Sequence, residues 1–237
     1  DIIYLGDSAR LPYGSKSKET VILYSIECLK FLLSKKVKMV VVACNTASSV
    51  AVPFLQKITK IPVIGVLVPG SEAAVRATKN NNIGVIGTRG TINSGSYGKC
   101  IRRLNKNIKV HSESCSLFVQ LAEDGWTDNK IAELTAWEYL RGFKNKGIDT
   151  MILGCTHYPI LKKTIGKVMG SKIKLIDSGE ETAKEVKFIL AKRNLLNTKK
   201  KKGEHKYFVT DFPNNFHQIA ERFLGKKINN VKLVKLH

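Results

Sequence analysis

The chain has 237 residues, of which 43% are hydrophobic, and this suffices for one large or two small domains with a buried core. No run approaches the ~18 apolar residues of a membrane span. The five cysteines are odd in number and scattered, which excludes a disulfide framework and disfavours structural zinc. We therefore expect a cytoplasmic protein with free thiols, no bound metal and no membrane partner.

The net charge of +21 fits three interpretations: nucleic-acid binding, steering of an acidic substrate, or a surface of solvated, lysine-rich helices. Lysine far outnumbers arginine here, whereas nucleic-acid sites favour arginine forks and stacking aromatic rings. We therefore favour the solvated surface and expect no nucleic-acid partner.

Apolar runs alternate with helical patterns along almost the whole chain. Strands are predicted at 2–5, 39–43, 61–66, 83–86, 108–110, 150–153, 174–176, 207–210 and 231–236. Helices are predicted at 18–34, from 45 or 46 to a break near 53, and at 71–78, 93–104, 128–145, 159–169, 180–194 and 216–224. Either Asn45 or Thr46 is expected to cap its helix, and Pro53 to shorten it. The lysine run at 199–203 is predicted to be a solvated loop. This alternation indicates an α/β fold with parallel sheets covered on both faces.

Two short stretches give the strongest functional signal. Each places one cysteine directly after an apolar strand, Cys44 after 39–43 and Cys155 after 150–153. Ligands of open α/β sheets bind at the carboxyl ends of the strands. We therefore predict that the two thiols face each other across one cleft. The two strands also echo one another, which hints at two similar α/β lobes with one thiol each.

Taken alone, each cysteine is more simply interpreted as a small buried apolar residue. The thiolate is the reactive form, and a thiol of ordinary pKa ~8.5 is only a few per cent ionised at neutral pH. A helix N-terminus or an imidazole such as His157 stabilises that anion. When both cysteines are considered, one thiolate can remove a proton from a carbon atom while the opposite thiol protonates the other face of that carbon. Such a pair inverts a stereocentre. Dinucleotide, Walker and pyridoxal-lysine motifs are absent from the sequence, so we expect no cofactor.

Segments along nearly the whole chain resemble, in order, the cofactor-independent aspartate/glutamate racemase family. Besides the two cysteine motifs, the matching segments are 4–14, 61–66, 83–92 and 115–125. Histidine at position 157 is similar to the glutamate enzymes, whereas aspartate racemases typically carry an acidic residue there. The resemblance implies two similar doubly wound parallel-sheet domains with the active site in the cleft between them. The first would comprise residues 1–67 plus 178–237, and the second residues 68–177.

The resemblance also implies a two-base mechanism. Cys44 and Cys155 would be the acid/base pair, each serving one enantiomer, with His157 assisting Cys155. The substrate's amino and carboxylate groups would be held by a larger set: Tyr13, Gly14, Asn45, Thr46, Thr88, Thr156 and His157. Glu123 would lie near the site. The implied activity is interconversion of L- and D-glutamate, supplying D-glutamate for bacterial peptidoglycan, and a homodimer is compatible with it.

One part of the family pattern has no counterpart here. Members begin with an additional strand and a glycine-rich turn carrying an Asp-Ser pair, whereas this sequence starts at Asp1, inside what would be the second strand. We expect a longer chain to contain that segment; the alternative is its loss, together with the carboxylate that assists Cys44. Two other functions stay open. They are racemisation of aspartate or another acidic amino acid, and a non-catalytic nucleic-acid-binding role for the basic charge.

Overall fold

Strands and helices alternate along the residues that the computed structural model describes, 1–198 and 203–236. The strands are β1 (Ile2–Gly6), β2 (Val40–Val42), β3 (Val63–Gly65), β4 (Asn82–Gly87), β5 (Lys109–Ser114), β6 (Thr150–Gly154), β7 (Lys174–Asp177), β8 (His205–Val209) and β9 (Val231–Leu233). The helices are α1 (Lys18–Ser34), α2 (Asn45–Val50), α3 (Val52–Leu55), α4 (Leu67–Ala77), α5 (Arg89–Asn93), α6 (Ser96–Leu104), α7 (Leu117–Asp124), α8 (Lys130–Leu140), α9 (Lys162–Met169), α10 (Ser178–Lys192) and α11 (Pro213–Leu224). Most of the predicted lysine loop, 199–202, lies outside the described residues.

Several predicted elements are confirmed for identifiable local reasons. Helix α1 has the predicted bounds, because the Ser17 hydroxyl accepts from the Thr20 amide and caps it. Pro53 shortens the preceding helix as expected: α2 ends at Val50, and the proline lies in the first turn of α3.

Other predicted bounds were wrong. Helices α5 and α7 were not predicted, and the helix predicted at 128–145 ends as an α-helix at Leu140 and continues as a 3-10 turn, Arg141–Lys146. The segment predicted as a helix from 159 opens with a 3-10 turn, Tyr158–Leu161, ahead of α9.

Four parallel strands form the largest sheet, in the order β5-β4-β6-β7. Strand β6 is buried along its whole length, and its side chains alternate between two cores. Met151 and Leu153 pack in the core with Phe118, whereas Ile152 packs in the core with Ile83. Helices therefore cover both faces of the sheet, as the continuous apolar strands predict.

The strand order places a topological switch point between β4 and β6. From this pair the chain winds outward in opposite directions, to β5 on one side and to β7 on the other. A crevice opens at the carboxyl ends of such a pair, and it is where ligands of doubly wound sheets bind. Thr88 directly follows β4, and Cys155 directly follows β6. The topology therefore brings these two residues to the same crevice.

The remaining described strands form two smaller parallel sheets, β2-β3 and β1-β8-β9. Helix α1 packs on the first of them, with Leu29 in a core that also contains Val40 and Val63. Strand β2 ends just before Cys44. None of the described helices combines the length and the apolar character that crossing a bilayer requires.

Candidate active site

Cys44 lies at the amino end of α2, and it is itself the N-cap residue. Its Sγ accepts from the Ala47 amide at 3.5 Å. The prediction that Asn45 or Thr46 caps this helix was therefore wrong, because the extended backbone that an N-cap requires falls one residue earlier, at Cys44. Burial raises the pKa of the Cys44 thiol, while hydrogen bonds from the amides of Ala47 and Thr46 and from the Thr46 hydroxyl oppose that rise.

Cys155 is buried and lies at the end of a chain of three ionisable groups. Its Sγ is 3.8 Å from Nδ1 of His157, and Nε2 of the same ring is 3.0 Å from Oε1 of Glu123. A neutral imidazole that donates its Nε2 proton to the carboxylate presents an Nδ1 lone pair to the thiol. The arrangement can therefore move a proton between Cys155 and His157, with Glu123 holding the ring.

Several groups act on the pKa of Cys155, which is raised to about 12. Burial is the largest cause; the His157 amide and the Thr156 hydroxyl oppose it, and negative charge on Cys44 and Glu123 adds to it. The influence of Cys44 means that the two thiols lie within electrostatic range of each other. A second thiolate is therefore disfavoured once the first has formed.

Tyr13 and Gly14 approach this region from a 3-10 turn, Tyr13–Ser15. The buried Tyr13 hydroxyl donates to Oδ2 of Asp7, which also accepts from Nε of Arg10 at 2.7 Å. Burial, followed by the nearby Cys28 and Asp7, raises the pKa of Tyr13 well above 10. The phenol therefore stays protonated, and its proton is committed to Asp7. It anchors the turn rather than acting as an acid.

Gly14 packs directly against Thr88. A Cβ built on Gly14 would lie 2.6 Å from the Thr88 Cβ, closer than real Cβ atoms approach. Thr88 also joins a ring of three buried hydroxyls: its Oγ1 is 2.9 Å from that of Thr46 and 3.1 Å from that of Thr91, and the latter two are 3.1 Å apart. Thr88 thus contacts both Gly14 and Thr46.

Asn45 is buried and donates through its side-chain nitrogen to the hydroxyls of Tyr97 and Ser178. Thr156, by contrast, is exposed beside Cys155. Of the predicted residues, Asn45 and Thr156 thus directly follow the two cysteines in the chain, whereas Gly14 and Thr88 contact each other and reach Thr46 through the ring of hydroxyls.

Helix α11 closes the outer side of the Glu123–His157 pair. The Phe223 ring meets the His157 ring edge to face, with centroids 5.8 Å apart. Nη1 of Arg222 donates to the carbonyl oxygen of Glu123 at 2.6 Å. The pair is therefore held on one side by this helix and on the other by Cys155.

Four residues of this region were not predicted as site residues: Asp7, Thr91, Tyr97 and Ser178. Asp7 and Ser178 directly follow β1 and β7, so the strand-end rule that singled out the cysteines would have found them. Tyr97 lies inside α6, where nothing in the sequence distinguishes it from a core residue. Among the described residues, no group of three or more His, Cys, Asp or Glu side chains could hold a metal ion.

Two thiols at strand ends, one of them in contact with a histidine that pairs with a carboxylate, are groups that can transfer protons to and from carbon. The chain belongs to the Asp/Glu/Hydantoin racemase family, whose profile matches residues 1–186. The family resemblance and the α/β fold with parallel sheets are thus confirmed.

Within this family the chain is similar to glutamate racemases. That of Geobacter metallireducens is 50% identical over 236 residues, which are 100% of this chain and 87% of the relative. The crystal structure of the Francisella tularensis enzyme in complex with D-glutamate is 42% identical, with a TM-score of 0.93 over 99% of this chain and 88% of that one. The Bacillus anthracis isoform RacE1 is 41% identical, with a TM-score of 0.96 over 100% and 88% of the two chains.

Proposed function

We propose that this protein interconverts L- and D-glutamate by proton transfer between Cys44 and Cys155, without a cofactor. The observation that supports it most is the placement of the two thiols, each at the end of a parallel strand and within electrostatic range of the other. The identity to glutamate racemases over the whole chain supports glutamate as the substrate.

The reaction needs one thiolate and one thiol. The thiolate takes the proton from the α-carbon, so that a C–H bond breaks and an S–H bond forms. The opposite thiol then protonates the other face of the carbanion, so that its S–H bond breaks and a new C–H bond forms. The substrate's original proton is now on the first cysteine, the new α-proton came from the second cysteine, and the second cysteine is left as the thiolate. Running the steps backwards serves the other enantiomer.

Each thiol has its own means of handling its proton. On one side, the amides at the start of α2 stabilise negative charge on Cys44. On the other side, His157 accepts and returns the Cys155 proton while Glu123 fixes the ring.

The substrate's polar groups would be held around this pair. We propose that the backbone of Tyr13 and Gly14, the hydroxyls of Thr46, Thr88 and Thr156, the Asn45 amide and His157 surround the amino and carboxylate groups. The ring of three threonine hydroxyls supports this, because each hydroxyl can turn its proton from a neighbour to an anionic oxygen.

The test is a racemisation assay with the purified full-length protein and no pyridoxal phosphate. L-glutamate should yield D-glutamate until the two are equal, and exchange of the α-proton with deuterated water should accompany the reaction. L-aspartate, assayed in parallel, should react at least about a hundredfold more slowly. Unchanged optical activity with glutamate contradicts the proposal. If aspartate turns over faster than glutamate, aspartate is the substrate instead.

We further propose that the enzyme acts in the cytoplasm, supplies D-glutamate for peptidoglycan and works as a homodimer, which sedimentation velocity would test. The domain division we propose is 1–67 plus 178–237 against 68–177. The largest sheet supports it, since all four of its strands fall within 82–177. Limited proteolysis near residues 67 and 178 would test this division.

A further inference from the structure

The side-chain amide of Asn45 is held by two hydroxyls that come from other parts of the fold. Its Nδ2 is 2.8 Å from the hydroxyl of Tyr97 and 3.2 Å from that of Ser178. The three side chains are nearly inaccessible, at 2%, 3% and 4% exposure for Asn45, Tyr97 and Ser178. Tyr97 comes from α6 and Ser178 from the first residue of α10, whereas Asn45 begins α2. Three separate elements therefore converge on one amide.

The hydroxyl of Ser178 decides which way round the amide lies. Its Oγ donates its single proton to the carbonyl oxygen of Leu153, at 3.4 Å. A lone pair therefore faces Asn45, and only the amide nitrogen can be its partner there. The Tyr97 hydroxyl accepts the second N–H. Its oxygen lies 2.8 Å from Nδ2, which makes this the shorter of the two contacts.

This orientation leaves the amide oxygen without a partner. Oδ1 of Asn45 is buried and makes no hydrogen bond among the described residues. Buried polar atoms are nearly always paired, and an unpaired one costs free energy that a ligand can recover. The free oxygen belongs to the residue that directly follows Cys44. An N–H donor at the reacting centre would satisfy it, and the α-amino group is the N–H donor that glutamate offers.

We propose that Tyr97 and Ser178 are positioning residues that hold the Asn45 amide with its oxygen turned to the substrate's amino group. The inference rests on the proposed function, and it adds two residues to the machinery for binding glutamate. Neither hydroxyl need touch the substrate. If either acceptor is removed, the amide becomes free to rotate, and the substrate meets a mixture of orientations.

The experiment measures the dissociation constant of D-glutamate by calorimetry for Tyr97→Phe, Ser178→Ala and the double variant. A lost neutral hydrogen bond corresponds to about a fivefold weaker affinity, so each single variant should bind about fivefold more weakly and the double variant more weakly still. KM should rise by the same factor while kcat stays within about twofold. Tyr139→Phe and Ser25→Ala are matched controls that remove hydroxyls bonded to the Leu117 amide and the Val21 carbonyl; their affinity should be unchanged.

A double-mutant cycle with Asn45→Ala separates positioning from a general disturbance. If Tyr97 acts through the amide, Tyr97→Phe should weaken binding no further once Asn45 is alanine. The proposal is overturned if Tyr97→Phe weakens binding equally with Asn45 and with alanine at position 45. It is also overturned if the variant that combines Tyr97→Phe with Ser178→Ala binds D-glutamate as tightly as the wild type. If Asn45→Ala does not fold, the KM and kcat of Tyr97→Phe test the proposal instead. A lower kcat with an unchanged KM overturns the proposal. A wild-type protein that neither binds nor racemises glutamate refutes the proposed function instead.

Discussion

The two thiols of the site occupy equivalent places on two sheets but have unlike surroundings. Cys44 is stabilised by amide hydrogens and a hydroxyl at the start of α2, groups that cannot accept a proton from it at neutral pH. Cys155 is more deeply buried and is followed by a histidine and a glutamate in series. In the proposed mechanism the Cys44 side stabilises charge, and the Cys155 side relays a proton.

The unlike surroundings of the two cysteines indicate that a symmetrical reaction does not require a symmetrical site. Racemisation must run at matched efficiency in both directions, because the two enantiomers have equal free energy. What each thiol needs is a low barrier for gaining and losing a proton, and dipoles or an imidazole can both provide it.

The largest effect should come from removing either thiol. Cys44→Ala and Cys155→Ala should each lower kcat for racemisation by at least about a thousandfold, since each deletes one of the two groups that exchange protons with the α-carbon. Cys100→Ala is the matched control: its half-buried thiol lies within helix α6 rather than at the end of a strand, and activity should be retained. Substantial activity in only one of the two site variants would show that the unequal surroundings reflect unequal roles.

Removing the relay should lower the rate less, and it should change the isotope effects of the two enantiomers in opposite directions. His157→Asn should lower kcat/KM about a hundredfold, the lower end of the range typical of general acid–base groups, and Glu123→Gln, which acts only through the ring, about tenfold. The loss in kcat/KM must be equal for both enantiomers, so the asymmetry has to be sought in the α-deuterium isotope effect. That effect should grow for the enantiomer that Cys155 deprotonates and shrink for the other. Equal isotope effects in both directions would contradict a relay confined to Cys155.

The contact between Gly14 and Thr88 should be intolerant of a single methyl group. Gly14→Ala should lower the free energy of unfolding by about 1–3 kcal/mol, because the new Cβ overlaps the Thr88 side chain. Gly142→Ala is the control, since its Cβ would have no neighbour within 4 Å and its stability should be nearly unchanged. Urea unfolding measures both. A fully stable Gly14→Ala protein would show that this contact does not set the spacing beside Cys44.

The last effect concerns stability and appears only at alkaline pH. Because burial raises the folded-state pKa of Cys155 from about 9 to about 12, the unfolded chain loses that proton first as pH rises. The contribution is fully present below pH ~9 and is lost at about 1.4 kcal/mol per pH unit between pH ~9 and ~12. Cys155→Ala should therefore flatten the fall of the unfolding free energy in that window. Cys44→Ala should also make the unfolding free energy fall less steeply with pH. If neither variant changes this slope, burial does not raise the pKa values of the two thiols.

The local patterns of the sequence were sufficient for much of the fold. Continuous apolar strands separated by amphipathic helices predicted parallel sheets, and Ser17 and Pro53 marked helix boundaries that depend only on nearby backbone groups. Helices α5 and α7 were missed because they are short, and a few residues contain too little periodicity to be distinguished from a turn.

The sequence by itself determined that Cys44 and Cys155 stand at strand ends, because strand and turn preferences act over a few residues. It also placed His157 beside Cys155 in the chain. Only the tertiary structure brought Glu123 to that histidine, Gly14 to Thr88, and Tyr97 with Ser178 to the Asn45 amide. These contacts join residues far apart in sequence, and they depend on sheet order and helix packing rather than on local preference. The orientation of one buried amide is likewise decided by a serine proton that bonds to a strand carbonyl.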